Sequence, residues 1–169
     1  MSTTEVQIAQ LANRIKEALR KLGNQRVAVG VPEGSAARND PSSNNAYLAA
    51  IHENGSAARG IPARPFLVPG IHKAQGKIVR ILETACANAV RNASFNPQAA
   101  LDAVGLAAQS SVRKMFTDND WAPNKPATQR AKNVKRGKPP DSDVTPLIDT
   151  GALRGSIQYV INPASEVNE

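Results

Sequence analysis

The chain has 169 residues, room for one domain with a modest core. Apolar residues make up 41% but aromatics only 4%, and alanine supplies much of the apolar count, so the core should be thin, built from small-residue helix contacts, and should leave apolar surface for other copies to cover. A net charge of +7 points to an acidic partner surface or nucleic acid, the single cysteine (Cys86) excludes an internal disulfide, and the lack of a basic, apolar leader or a ~20-residue apolar run speaks against export by a secretory signal and against membrane anchoring.

Ser2 and Glu5 have the spacing of a capping box, and Ile8, Leu11, Ile15, Leu19 and Leu22 recur every three or four residues until Gly23, which predicts an amphipathic helix. Arg26 to Val31 is a short β-branched run between turn signals and reads as a strand. Residues 35–45 are polar, turn-rich and aperiodic, and read as an exposed loop. Tyr47 to Glu53 fits helix or strand equally, and Asn54-Gly55 ends it.

In Ile61-Pro62-Ala63-Arg64-Pro65-Phe66-Leu67 the two prolines fix φ and push Ile61 and Arg64 toward extended geometry, so helix can begin only after Phe66. Ile71, Ala74, Ile78, Ile81, Leu82, Ala85 and Ala89 then form one stripe. Asn96-Pro97 opens a further helix whose stripe of Leu101, Val104, Ala108, Val112 and Met115 runs to about Phe116. These two should form a hairpin. Residues 117–145 carry almost no apolar periodicity and read as a second long loop. Gly155 to Ile161 alternates as a final strand, and residues 162–169 read as a frayed tail. The expectation is a single α+β domain over residues 1–169: a short, mostly antiparallel sheet packed against an N-terminal helix and a central helix pair, with long exposed loops.

Catalytic and metal patterns fail one by one. His52-Glu53 would need a second histidine at position 56, which is Ser56. His52 and His72 lack a third ligand. Gly70 to Lys77 has the wrong glycine spacing for a phosphate loop, with Ile78 where a magnesium-binding hydroxyl belongs. Asp118 with Asp120, and Asp141 with Asp143, fall in turn-rich sequence and read as turn residues. No catalytic residue, metal or cofactor is expected, and the chain does not read as an enzyme. Arg130, Lys132, Lys135, Arg136 and Lys138 form a run of cations without an acid that phosphates or an acidic protein surface would feel; it has no aromatics to stack on bases, so contact with DNA would be non-specific.

One set of motifs, taken in order, resembles a known family. Ala49-Ala50-Ile51-His52-Glu53-Asn54-Gly55 precedes Ile61-Pro62-Ala63-Arg64-Pro65-Phe66-Leu67, then a helix pair, then Trp121-Ala122-Pro123 with Thr128 and Lys132, then Leu147 to Ile157 with its Thr150-Gly151-Ala152-Leu153-Arg154-Gly155-Ser156 core. The series resembles the tail completion or neck (head-to-tail joining) proteins of tailed bacteriophages, across roughly Tyr47 to Ile161. Asn54 stands where the family pattern has an aromatic, and the basic loop is long. The resemblance implies a structural virion protein, made in the host cytoplasm, that assembles as a homo-oligomeric ring, six copies being the expected number. The ring would complete the tail and join it to the DNA-filled head, against neighbours such as the head-tail connector and the tail terminator or tail tube. It also marks Glu53, Gly55, Pro62, Arg64, Pro65, Phe66, Trp121, Thr150, Gly151, Leu153, Arg154 and Ser156 as candidate interaction residues. The alternative is a non-specific nucleic-acid-binding module using residues 130–138.

Overall fold

A computed structural model describes residues 3–32, 44–92, 95–118, 121–140, 142, 145–148 and 150–164. In chain order these form helix α1 (Thr3–Gly23), strand β1 (Gln25–Gly30), α2 (Asn45–Asn54), a 3-10 turn (Ala57–Arg59), α3 (Leu67–Arg91), α4 (Pro97–Lys114), α5 (Pro126–Lys135), α6 (Ala152–Ser156) and β2 (Gln158–Pro163). β1 and β2 pair antiparallel in a two-stranded sheet, so the α+β class expected from the sequence holds. Ser2, residues 33–43, Ser94, Asp120, Asp141, Asp143, Asp149 and residues 165–169 lie outside the described residues, and with them most of the expected 35–45 loop and of the expected tail.

The chain divides into two compact units. One holds Met1–Val29, Lys73–Ala108 and Tyr159–Glu169; the other holds Gly30–His72 and Gln109–Gln158. The first has the thin core that the composition implies: Ala18, Ala74, Ala85, Ala89, Leu101, Val104, Ala107 and Ala108 are its buried apolar residues. Small side chains let elements approach closely, and Gly105 shows how closely. A Cβ there would collide with the Tyr159 ring, so β2 rests its tyrosine directly on the α4 backbone. The Tyr159 hydroxyl donates to Asp102 Oδ1 at 3.2 Å, and burial, followed by that bond and the carboxylate's charge, raises the phenol above its ordinary range. A glycine inside a helix costs about 0.5–1 kcal/mol relative to alanine, so close packing of the ring has to offset that.

The second unit has the bulkier interior, with Phe66, Val112, Met115, Phe116, Leu153 and Ile157 buried. The start of α3 lies hard against the end of α4. A Cβ on Gly70 would come within 2.7 Å of Val112 Cα, and Ser111 Oγ donates to the Gly70 carbonyl at 2.7 Å. α6 packs on α2 in the same unit.

Four expectations about boundaries are corrected. Asn44 caps α2 by accepting the Tyr47 N–H at 2.7 Å, and Asn45 is the first helical residue. The expected loop therefore ends sooner, and the ambiguous Tyr47–Glu53 segment is helix. Residues 117–145 are not one long loop, because Pro126 opens α5 at the position where a missing N–H costs nothing. The residue that α5 buries completely is Asn133, whose Nδ2 donates to the carbonyls of Pro140 and Ser142, both at 2.8 Å, while Val134 is 71% exposed. An inward amide leaves no apolar period to read. The last strand begins at Gln158 rather than Gly155: Gly151, at φ 80°, admits the short helix α6, and the Ser156 hydroxyl donates to the Leu153 carbonyl at 2.8 Å. Asn162 and Pro163 belong to β2 rather than to a frayed tail, and the Ala164 N–H closes the strand end on the Asn24 carbonyl at 2.8 Å.

Candidate interaction site

The motif residues cluster in the second unit, around the strap between α2 and α3. Gly55 turns the chain out of α2 at φ 75°, where an added Cβ would meet Ala63 N at 2.8 Å; only glycine fits both the backbone angle and the space. Ser56 and Ile61 then pair through both backbone N–H groups at 2.9 Å, closing a small loop over the 3-10 turn, and the Arg64 N–H returns to the His52 carbonyl at 2.7 Å. Pro62 and Pro65 are exposed, and their part is to hold this strap extended.

Glu53 and Arg64 each reach from the strap's ends to distant backbone. The Glu53 carboxylate accepts the N–H groups of Phe66 (2.8 Å), Leu67 (2.9 Å) and Val68 (3.0 Å), so it caps α3 from outside the helix. Arg64 is buried and donates Nε to the Ala122 carbonyl and Nη2 to the Pro123 carbonyl, both at 3.2 Å. The arginine of one motif thus grips the Trp121-Ala122-Pro123 motif. Phe66 reinforces the same junction: its ring lies 4.7 Å from Phe116, which meets the edge of Trp121 at 6.1 Å.

The last motif is held by a residue that sequence reading passed over. Arg113 on α4 donates Nη2 to the Ile157 carbonyl at 2.7 Å and to Gly155 at 3.2 Å, while Arg154 Nε donates back to the Arg113 carbonyl at 3.2 Å. The Thr150 hydroxyl accepts the Ala152 N–H at 3.3 Å, and Leu153 is buried. Carbonyl partners leave no trace in a pattern of side chains, so nothing in the sequence singled Arg113 out. Glu53, Gly55, Arg64, Phe66, Leu153 and Ser156 all make internal contacts that hold the unit together.

Beneath the strap lies a cleft of about 440 Å³, wholly within the second unit, walled by Leu48 and His52 of α2, Arg59 to Pro62 and Arg64, residues 124, 125, 128 and 132, Leu147 and Leu153. No carboxylate is among its described lining residues. Arg59 is positioned by stacking 5.6 Å over the Tyr47 ring. His52 Nδ1 is buried with no hydrogen-bond partner among the described residues. Burial first, then the charges of Arg64 and Lys132, lower the His52 pKa below its ordinary value. Folding therefore favours the neutral ring, whose stabilising contribution is whole above histidine's unfolded-state pKa of about 6.5 and is lost as pH falls through the lower folded value. Urea titrations across pH 5 to 8 should show the parent losing stability relative to His52→Gln on the acid side of that window; parallel curves would contradict it.

The basic run is divided. Lys132 Nζ (3.1 Å) and Arg136 Nη2 (2.8 Å) converge on the Ile148 carbonyl, tying α5 to the segment before α6, whereas Arg130, Lys135 and Lys138 are exposed. Among the described residues, no group of His, Cys, Asp and Glu is placed to hold a metal, and no helix is long and apolar enough to cross a membrane.

No family model matches the chain, and no solved structure matches it significantly. An uncharacterized protein of Methanocaldococcus jannaschii is 45% identical over 40 residues, which cover 24% of this chain and 30% of that protein. A match of that extent identifies neither a family nor a function.

Proposed function

We propose that the chain is a structural ring subunit of a tailed-phage virion, which completes the tail and joins it to the head. The virion placement rests on the order of motifs described above. The oligomeric part rests on one observation, the uncovered edge of α1. Its stripe of Ile8, Leu11, Ile15, Leu19 and Leu22 is only half covered: Leu11, Ile15 and Leu22 are partly buried, while Ile8 is 63% and Leu19 52% exposed on the same edge. A second copy covering that edge gives the heterologous contact from which a closed ring is built.

Native mass measurement of the purified chain should give a closed oligomer, and Ile8→Asp with Leu19→Asp should return it to monomer with its helical circular dichroism kept. A parent that is monomeric in solution and absent from purified tails overturns the proposal. Head-tail neighbours would then meet the ring's faces, and DNA would pass its basic surface without sequence reading. Replacing Arg130, Lys135 and Lys138 with alanine should weaken retention on duplex DNA and flatten its salt dependence by roughly one log-log unit for each phosphate no longer neutralised. Unchanged retention would remove DNA contact by this surface.

A further inference from the structure

We propose that the cleft beneath the strap is a receptor for an acidic side chain flanked by apolar residues, presented by a partner protein. The inference concerns the isolated subunit and does not depend on ring formation. Arg64 is buried against carbonyl oxygens, Arg59 is fixed over Tyr47, and Lys125 brings its Nζ to the cleft wall, 3.2 Å from where a Cβ on Gly60 would sit. Arg64 is the buried one of these cations, Arg59 and Lys125 being exposed at the cleft wall, and a carboxylate entering the cleft would add charge-assisted hydrogen bonds where no described lining residue supplies an acid. His52 Nδ1, without a partner among the described residues, is a further polar atom that such a ligand would satisfy.

The rest of the lining selects the kind of anion. Leu48, Ile61 and Leu153 line the same concave space of about 440 Å³ as the cations. The phosphates of duplex DNA lie on a convex, hydrated backbone and gain nothing from leucine walls. A glutamate between apolar neighbours satisfies both halves of the surface, and desolvation of the apolar walls strengthens the charge pairing.

The test uses the full chain and three probes: an acetylated Leu-Glu-Leu amide, its Leu-Gln-Leu counterpart, and inorganic phosphate, followed by NMR shifts of the cleft amides. The glutamate peptide should bind about 10-fold more tightly than the glutamine peptide, as expected for loss of one charge-assisted hydrogen bond. Joint replacement Arg59→Ala and Lys125→Ala, both exposed and outside the buried network, should abolish that preference with the fold kept by circular dichroism. Lys138→Ala should leave it intact. Equal affinity for the two peptides, an undiminished preference in the double variant, or saturation by phosphate without binding of the glutamate peptide each overturn the proposal.

Discussion

Phe66→Ala should cost the protein about 3 to 5 kcal/mol, because it removes the buried end of an aromatic junction and leaves a cavity that its neighbours cannot close. Phe66 is 1% exposed, and its ring touches Phe116, which in turn meets Trp121 edge-on. The prolines before it hold the strap extended, Arg64 is anchored on residues 122 and 123, and α3 begins at the next residue, so no element beside the cavity moves without breaking another contact. Trp121 is the single tryptophan, which lets its fluorescence report on this junction alone. Denaturant titration of Phe66→Ala should show an earlier midpoint together with a red-shifted native emission. Lys135→Ala, on an exposed helix face, should stay within ~0.5 kcal/mol of the parent. An unchanged emission in the phenylalanine variant would mean that the aromatic contact does not hold in solution.

Elements whose inward face is apolar were legible in the sequence. α1, α3 and α4 follow their stripes, and β1 and β2 sit within a few residues of the alternating runs that announced them. α2 was undecided because its period is short; the deciding residue, Asn44, belongs by composition to a polar loop, and only its side chain on the Tyr47 N–H marks it as a cap. α5 was missed for a physical reason: Asn133 is its buried residue and Lys132 and Arg136 point at a backbone carbonyl, so burial there follows hydrogen bonding rather than hydrophobicity. Each of the two units is assembled from separated segments, with α3 and α4 contributing to both.

The motif residues carry a related lesson. Order along the chain brought Glu53, Arg64, Trp121 and Ser156 to notice together, but not what each one holds. Arg64 and Arg113 both spend their donors on main-chain oxygens, at Ala122 and Pro123 in one case and at Gly155 and Ile157 in the other. Such side chains fix loop positions without any complementary charge, so pairing acids with bases along the sequence could not have found their partners.

Glu53→Ala should lower stability by about 2 to 4 kcal/mol, more than an ordinary cap deletion, because one carboxylate serves the whole start of α3. The residue before the helix is Phe66, whose ring is committed to the core and has no oxygen to offer. Glu53 takes the N–H groups of Phe66, Leu67 and Val68; Pro69 has none to satisfy, and the Gly70 N–H already donates to the Phe66 carbonyl at 3.1 Å. Its negative charge also sits at the positive end of a 25-residue helix. Removing it strands the part-buried Phe66 and Leu67 donors, each at a cost of up to about 1–3 kcal/mol where water cannot reach it, while the exposed Val68 N–H turns to water. Glu53→Gln keeps one strong acceptor and should lose about half as much. Hydrogen exchange separates this from a general loosening: in Glu53→Ala the amides of Phe66, Leu67 and Val68 should lose protection first and furthest, while amides in the middle of α4 change only as global stability does. Equal loss of protection across α3 and α4 would show that Glu53 acts through packing and not as the cap, because only a cap concentrates its effect on the donors it holds.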